Sequence, residues 1–458
     1  MTHYGRAHDK ALDNSCEYET KELCSGQKRY AHLDHGVGSL GSVHTVFSGL
    51  RGAPVKPHKK RILMFAEAVT LAHVVRPLAL ASTLNPLDYA ICIAKDDRYD
   101  ALLGRHPFAS RQIRSIPTQD FLHALAKGSP VYDVETLERY VQEDLEVMHE
   151  FDPDIVIGDF RLSLSVSCRL AKKPYIAITN AYWSPYAQPR YTVPDLPMVG
   201  LFGSGVSQLI FDITRPLAFA YHCHPLNRVR RRHGLRSLGH DLRRTYTDAD
   251  HVLYADLPEL VTTHALPPNH HYIGPVLWEP SMDLPDWWHT IPLDEKTLFI
   301  SLGSSGPVAY LPEILAGLSS LPVHLLVATA GRMPIDRVYG ERLHVANYLP
   351  AAQAIARSDL VICNGGSPTS YLALAAGRPV LGIPGNLDQF LNMRYLQDYG
   401  AGMMVRSEQA SATALAGLVM AMLADESPYC RSARQIQTLC SKRRVEESFP
   451  ALLASLLS

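Results

Sequence analysis

From about residue 60 onwards, short apolar runs alternate with segments of helical composition. Apolar runs occupy residues 61–66, 89–94, 154–158 and 175–179, and helical segments occupy residues 134–151 and 162–171. Uninterrupted apolar runs of this length are typical of strands that are covered on both faces. Strands that alternate with helices predict a parallel sheet between two helical layers.

The pattern restarts in the second half of the chain, with apolar runs at residues 298–301, 323–327, 343–345, 360–363 and 380–383. We therefore predict an α/β fold made of two Rossmann-like domains whose parallel sheets face each other across a cleft. A segment rich in proline and tryptophan between them is expected to be a semi-rigid connector. The predicted boundaries are 59–280 for the first domain, 281–292 for the connector, 293–440 for the second domain and 441–458 for a C-terminal helix that packs back on the first domain.

Residues 1–58 precede the first apolar run and are polar, with scattered histidines and glycines. This composition predicts a loosely ordered extension. The spacing of its histidines, Cys16 and Cys24 fits no pattern of zinc ligands, so we expect no metal site there.

Composition narrows the class of function. The chain has 458 residues, enough for two domains, and its 44 basic residues balance 45 acidic ones. A nearly neutral chain does not favour nucleic-acid binding, which needs a strong positive field. Since no apolar run is long enough to span a bilayer, we expect a cytoplasmic protein. Its eight cysteines are scattered along the chain, and we expect them to be reduced thiols.

The most specific stretch covers residues 358–389, which combine strand, glycine turn, helix, strand and acidic loop. Gly365 and Gly366 let the backbone turn sharply after a strand, and the helix predicted from Ser367 presents its free amides to an anion. Asp388 and Gln389 follow the next strand, at the edge where open parallel sheets bind ligands. This stretch predicts a site for a nucleotide diphosphate.

A second glycine turn, with Gly303, Ser304 and Ser305, directly follows the first strand predicted in the second domain. Backbone amides, hydroxyl groups and a helix dipole can hold a diphosphate without a metal ion. We therefore expect no cofactor.

From about Arg61 to its C-terminus the sequence resembles the family-1 nucleotide-sugar glycosyltransferases, which have the two-domain GT-B fold. The resemblance is carried by the 365–367 turn, by Leu-Ala-Ala-Gly-Arg-Pro at residues 374–379 and by the Asp-Gln pair at 388–389. It implies a nucleotide-sugar donor site in the second domain. Its residues would be Gly303, Ser304, Ser305, Asn364, Gly365, Gly366, Ser367 and Thr369 at the diphosphate, Tyr348 and Leu349 at the base, and Asp388 and Gln389 at the sugar.

Two positions depart from the family pattern. Asn364 stands where the family commonly has an imidazole, which predicts a weaker grip on the phosphates. Leu372 stands where many uridine-diphosphate users have a glutamate that accepts hydrogen bonds from both ribose hydroxyls. Loss of this glutamate favours a thymidine-diphosphate sugar over a uridine one. An alternative stays open, in which Leu372 turns into the core and other residues hold the ribose.

The resemblance also places a catalytic histidine at His73, after the first strand of the first domain. Inversion by direct displacement needs a general base, and an imidazole suits this role. Asp159 follows the strand at 154–158, and neighbouring parallel strands end at one edge of the sheet, so Asp159 is the candidate to orient His73. Two alternatives stay open: Glu67 as the base, and Asp159 as the N-cap of the next helix.

The middle of the first domain is rich in aromatic residues and proline. Tyr182, Trp183 and Tyr186 are candidates for an apolar acceptor site, but such rings could equally pack a core or a dimer face. Arginines at 228 and 230–232 form a basic run that suits anionic lipid, an acidic acceptor or a solvated helix face. The Asp-x-Asp triplets at 152–154 and 248–250 lie away from the glycine turns, and we interpret them as turns.

We therefore predict an inverting, metal-independent O-glycosyltransferase. It would move a sugar from a dTDP- or UDP-sugar to a hydroxyl of a small, largely apolar acceptor, and it could form a homodimer. Two other classes fit the sequence: a sugar-nucleotide epimerase of the same fold, which needs no acceptor, and a non-catalytic subunit that binds a nucleotide sugar.

Overall fold

The computed structural model describes residues 59–280, 282–303, 306, 308–332, 340–425 and 427–458. The extension predicted for residues 1–58 lies outside this part of the chain, as do the predicted diphosphate ligands Ser304 and Ser305. The described residues form two parallel sheets covered by helices, which confirms the predicted α/β class.

In the first domain, seven parallel strands form a sheet in the order β3-β2-β1-β4-β5-β6-β7. The strands are β1 (Lys60–Ala66), β2 (Tyr89–Lys95), β3 (Ala109–Gln112), β4 (Ile155–Asp159), β5 (Tyr175–Thr179), β6 (His251–Tyr254) and β7 (His270–Tyr272). The helices are α1 (Leu71–Ser82), α2 (Asp100–Leu103), α3 (Thr118–Lys127), α4 (Val134–Phe151), α5 (Leu164–Ala171), α6 (Pro197–Arg232) and α7 (Arg243–Tyr246). Because β1 pairs with β4 and Ala66 lies beside Asp159, the loops after these two strands meet at one edge.

In the second domain, six parallel strands follow the order β10-β9-β8-β11-β12-β13, the Rossmann arrangement of the first six strands of the other sheet. The strands are β8 (Thr297–Ser301), β9 (His324–Ala328), β10 (Leu343–Ala346), β11 (Leu360–Cys363), β12 (Val380–Gly382) and β13 (Gly402–Met404). The helices are α8 (Leu311–Leu318), α9 (Ala351–Arg357), α10 (Ser367–Ala375), α11 (Leu387–Tyr399), α12 (Ala412–Leu423), α13 (Pro428–Lys442) and α14 (Val445–Leu457).

Apolar packing joins the two domains. One core cluster includes Tyr182 and Tyr254 from the first domain, Phe299 and Tyr371 from the second, and Trp288 of the connector. The C-terminal helix α14 packs on the first domain, where its apolar residues join the cluster of β1 and α1. The two carboxyl edges that border the cleft are therefore held by a shared core.

The described cysteines are free, and aspartates of the two Asp-x-Asp triplets contact neighbouring protein groups. Cys92, Cys168, Cys223, Cys363, Cys430 and Cys440 are free thiols. Asp154 accepts a hydrogen bond from the backbone of Arg61, and Asp248 pairs with Arg169 and the buried Arg230. The triplets thus lie in the short loops that precede β4 and β6.

The long helix α6 is absent from the sequence-based prediction. Gly203 interrupts it with a φ of 73°, and Pro216 and Pro225 lie inside it, so its composition does not resemble a regular helix. Among the described residues, no helix is both long and apolar enough to cross a membrane.

Candidate active site

The predicted catalytic pair lies at the carboxyl edge of the first sheet. His73 is in the first turn of α1, and Asp159 is the fully buried last residue of β4. Nδ1 of His73 lies 2.8 Å from Oδ1 of Asp159. Because a carboxylate only accepts hydrogen bonds, this distance places the proton of a neutral imidazole on Nδ1 and the lone pair on Nε2. The structure thus brings the two predicted residues together in the orientation that a base requires.

A third residue, Arg76, was not predicted. It lies one helical turn after His73, is 6% exposed, and donates to both carboxylate oxygens of Asp159, from Nε at 2.7 Å and from Nη2 at 2.8 Å. Nη2 also lies 3.1 Å from Nδ1 of His73. Burial lowers the pKa of Arg76, but the charge of Asp159 outweighs it and the pKa is raised. Asp159 therefore serves two partners, and a fixed positive charge stands beside the imidazole.

The imidazole is also held by an aromatic ring. Phe160 stacks on His73 with ring centroids 4.6 Å apart and an interplanar angle of 14°. Phe160 has a φ of 58°, a left-handed conformation that costs a non-glycine residue about 1–3 kcal/mol. Its ring also stacks on Tyr246 at 5.7 Å. This backbone conformation places an aromatic wall next to the base.

The two alternatives for this edge find no support in the contacts. Glu67 is fully buried, pairs with Arg161 at 2.9 Å and accepts a hydrogen bond from Tyr140. Burial raises its pKa. Helix α5 has Ser163 at its N-cap position, so Asp159 does not cap it. The carboxylate of Glu67 therefore belongs to a buried ion cluster around Arg161, which also pairs with Asp144 at 2.9 Å.

On the opposite side of the cleft, the chain turns sharply at Gly365 and Gly366, directly after β11. Gly365 has a φ of 76°, and a Cβ there would collide with Met393, so only glycine fits. Asn364 is buried, and its Oδ1 accepts a hydrogen bond from the backbone of Gly366. A Cβ on Gly303 would lie 3.3 Å from Nδ2 of Asn364, which shows how closely the two turns approach each other.

Helix α10 starts directly after the Gly365–Gly366 turn, with Ser367 as its first residue and Thr369 in its first turn. Nδ2 of Asn180, which follows β5 in the first domain, donates to Oγ of Ser367 at 3.0 Å. Oδ1 of Asn180 in turn accepts from Arg76 at 2.9 Å. A hydrogen-bonded chain therefore runs from Asp159 through Arg76 and Asn180 to the start of α10.

A buried carboxylate lies beside this chain. Asp256 accepts hydrogen bonds from the backbone of Ala181, from Asn180, and from the hydroxyl of Tyr371 on α10. Burial raises its pKa to about 6, although these hydrogen bonds oppose the rise. Asp256 thus links both domains at a point where its charge is costly.

The two residues predicted to bind the sugar, Asp388 and Gln389, have different hydrogen-bond partners. Asp388 is in the first turn of α11, and its Oδ1 accepts a hydrogen bond from Nε1 of Trp183 at 2.7 Å across the cleft. Gln389 is 2% exposed and forms a capping box with Asn386, while its Oε1 accepts from the backbone of Gly385 at 2.9 Å. The side-chain oxygen of Gln389 is therefore engaged in shaping the loop.

The two positions predicted to bind the nucleotide base are an exposed ring and a buried side chain. Tyr348 is 49% exposed and donates a hydrogen bond to the backbone of Ala330, whereas Leu349 is buried. Leu372 is partly buried and packs against the core that joins the domains. Tyr348 presents a ring on which a base could stack.

The three acceptor candidates lie in different places. Tyr182 is fully buried in the shared core, and Tyr186 packs edge-on against His270 of the outer strand β7. Trp183 packs on Tyr246 at 5.1 Å, which connects it to Phe160 and His73. Of the three, only Trp183 joins the aromatic wall beside His73.

The sequence is similar to known proteins over most of its length. The model of the EryCIII-like family, described as the C-terminal domain of erythromycin biosynthesis protein CIII-like proteins, matches residues 313–445. A PGL/p-HBAD biosynthesis rhamnosyltransferase of Mycobacterium bovis (strain BCG / Pasteur 1173P2) is 49% identical over 431 residues, 94% of each chain. The chain belongs to the family-1 glycosyltransferases. A PGL/p-HBAD biosynthesis glycosyltransferase of Mycobacterium tuberculosis (strain ATCC 25177 / H37Ra) is 47% identical to this glycosyltransferase over 378 residues, 82% of the chain and 88% of the relative.

Solved structures confirm the fold of the glycosyltransferase. The spinosyn rhamnosyltransferase SpnG complexed with thymidine diphosphate matches it with a TM-score of 0.60 at 18% identity. The match covers 87% of this glycosyltransferase and 100% of that chain. The predicted GT-B architecture is therefore correct.

The residues around the candidate site that were missed from the sequence include Arg76, Phe160, Asn180 and Asp256. A signal for them exists, because Phe160, Asn180 and Asp256 follow the apolar strands β4, β5 and β6 within two residues. Residues in these positions lie at the carboxyl edge, where such sheets bind ligands. Arg76 stands out as a charged residue inside the apolar helix α1.

Proposed function

We propose that the glycosyltransferase moves a rhamnosyl group from a thymidine-diphosphate sugar to a hydroxyl of an apolar, aromatic acceptor, with inversion and without a metal. The Mycobacterium bovis relative is named a rhamnosyltransferase, and so is the structural neighbour SpnG, whose complex contains thymidine diphosphate. Leu372 in place of a ribose-binding glutamate supports a deoxyribose nucleotide.

The observation that carries this proposal is the 2.8 Å contact between His73 and Asp159. With its Nδ1 proton directed at Asp159, the imidazole takes the acceptor's hydroxyl proton on Nε2. The acceptor oxygen then forms a bond to the anomeric carbon while the bond from that carbon to the diphosphate oxygen breaks. Asp159 stabilises the imidazolium that results.

The electron pair of the broken bond stays on the diphosphate. In this proposal the amides of the 364–367 turn and the start of α10 face that charge, and the hydroxyls of Ser367 and Thr369 add donors. Backbone groups of this kind stabilise developing charge without a divalent ion.

The wall of Phe160, Tyr246 and Trp183 supports an aromatic acceptor. These rings contact one another in sequence from His73 outwards, at centroid distances of 4.6, 5.7 and 5.1 Å. A phenol stacked on this wall would direct its hydroxyl towards the base.

The test is a transfer assay with the purified protein, thymidine- and uridine-diphosphate rhamnose, and an alkylphenol or an aliphatic alcohol of equal length, in the presence of EDTA. We expect transfer to the alkylphenol from the thymidine donor, with inverted anomeric configuration by NMR. Retained configuration, or activity abolished by EDTA and restored by Mg²⁺, would contradict the mechanism. Donor incubated alone separates the epimerase alternative, which would produce an epimer without acceptor.

A further inference from the structure

One helix of the first domain exposes an unusual amount of apolar surface. Eight of the fourteen large hydrophobic residues that are exposed in the described part of the chain lie on α6. They are Leu201, Phe202, Val206, Leu209, Ile210, Ile213, Leu217 and Tyr221, with exposures between 36% and 77%. Contiguous apolar surface of this kind is rare on a protein that needs no partner there.

The six of these residues that follow the break at Gly203 lie on one side of the helix. After the break at Gly203, spacings of three and four residues connect Val206, Leu209, Ile213, Leu217 and Tyr221. We call the eight residues the α6 stripe. The opposite side of α6 is buried, so the stripe is the only apolar side of this helix that can reach a partner.

The buried side of α6 forms part of the acceptor side of the cleft. Phe219 and Cys223 pack with Trp183 and Tyr246, the residues that continue the aromatic wall from His73. Phe211 packs with Leu387 at the start of α11. The α6 stripe is therefore separated from the predicted acceptor site by the thickness of one helix.

Basic residues continue the exposed side of α6 beyond one end of the stripe. Past Tyr221, the exposed side of α6 continues into His224, Arg228 and Arg231. Near the middle of the stripe, Asp212 is paired with Arg215 at 3.3 Å. An apolar face that ends in arginines matches an interface of acyl chains and anionic headgroups.

From this juxtaposition we propose that the α6 stripe is a docking surface for an anionic lipid bilayer, with the apolar residues in the acyl boundary and the arginines on the headgroups. The aromatic residues Phe202 and Tyr221 lie near the two ends of the stripe, where rings suit a membrane interface. Docking in this way places the acceptor side of the cleft beside the membrane. Apolar acceptors can then reach the base from the bilayer.

The test is flotation of the full-length protein with vesicles, without donor or acceptor, so its result does not depend on the proposed transfer reaction. Vesicles contain phosphatidylcholine alone or phosphatidylcholine with phosphatidylglycerol. We expect the protein to float with the anionic vesicles, and the variant Leu209→Gln/Ile213→Gln/Leu217→Gln to partition at least about tenfold less. A matched control changes the isolated exposed residues in the variant Leu87→Gln/Leu293→Gln/Met420→Gln, which we expect to float like the native protein.

The variant Arg228→Gln/Arg231→Gln tests the charged end. We expect its binding to anionic vesicles to fall several-fold, and the native protein's binding to weaken with added salt. Absence of flotation, or equal flotation of the stripe variant, would overturn the proposal. So would sedimentation showing a native dimer that the stripe variant converts to a monomer, because a second copy of the chain would then cover the stripe.

Discussion

The two sheets of this glycosyltransferase have the same strand order over six strands, yet their carboxyl edges are built from different material. At the first edge, charged and aromatic side chains do the positioning: Asp159, Arg76 and Phe160 all contact His73. At the second edge, the backbone turns at Gly303 and Gly365 and the start of α10 form the predicted donor site. One fold thus carries the proposed proton-transfer site on one side and the proposed anion-binding site on the other.

The two edges differ in their sensitivity to substitution. A site built from backbone depends on glycines that allow a particular φ, so single side-chain changes around it have limited effects. A site built from buried charges depends on every partner, because removing one leaves another charge uncompensated. We therefore expect larger effects from substitutions at the first edge.

The largest effect should come from His73→Ala. Loss of the general base is expected to lower kcat by about 10²–10⁴-fold. Binding of thymidine diphosphate, measured by calorimetry, should remain within about twofold because the donor turns are on the other domain. The exposed histidine variant His123→Ala serves as a control and should keep full activity. A folded His73→Ala protein with a native rate would show that another residue takes the proton.

Next in size is Arg76→Met, which removes two hydrogen bonds from buried Asp159. We expect the free energy of unfolding to fall by about 3–5 kcal/mol, since a buried carboxylate loses its main partner. Urea unfolding measures this change.

A positioning role for Arg76 predicts more than lost stability. Without the guanidinium, a positive charge on the neighbouring imidazole is no longer opposed, so the acid limb of the pH–rate profile should move to higher pH. Arg76→Lys, which keeps the charge, should move the limb less. Unchanged pH profiles in both variants would limit Arg76 to a structural role.

The junction of the two domains gives a pH-dependent test at Asp256, whose pKa is raised to about 6 from 3.8. The folded state holds this proton more tightly, so the stabilisation is complete below pH 3.8 and is lost as pH rises through about 6. We expect the native protein to lose up to about 3 kcal/mol relative to Asp256→Asn between pH 4 and 7. Urea unfolding of both proteins across this range measures the difference, and parallel curves would contradict it.

The same contrast explains what could be predicted from the sequence. The second edge could be predicted because Gly365, Gly366 and the helix after them are adjacent in the chain. Their backbone geometry follows from residue type. The pair of His73 and Asp159 could be inferred from strand adjacency and family resemblance. Arg76 and Asn180 could not, because their partners come from distant strands and depend on side-chain packing. Helix α6 was missed because apolar residues on both of its sides obscure its periodicity.

The smallest effect concerns the choice of nucleotide, at the backbone-built edge. Leu372 is partly buried on α10, so a glutamate there can reach the surface of the helix while its stem covers the core. If the missing acceptor favours the thymidine donor, Leu372→Glu should shift the ratio of kcat/KM towards the uridine donor by about tenfold, the value of one or two hydrogen bonds. Leu372→Met keeps the size without adding an acceptor and should leave the ratio unchanged. An equal shift in both variants would mean that packing of α10, and not the ribose hydroxyl, sets the preference.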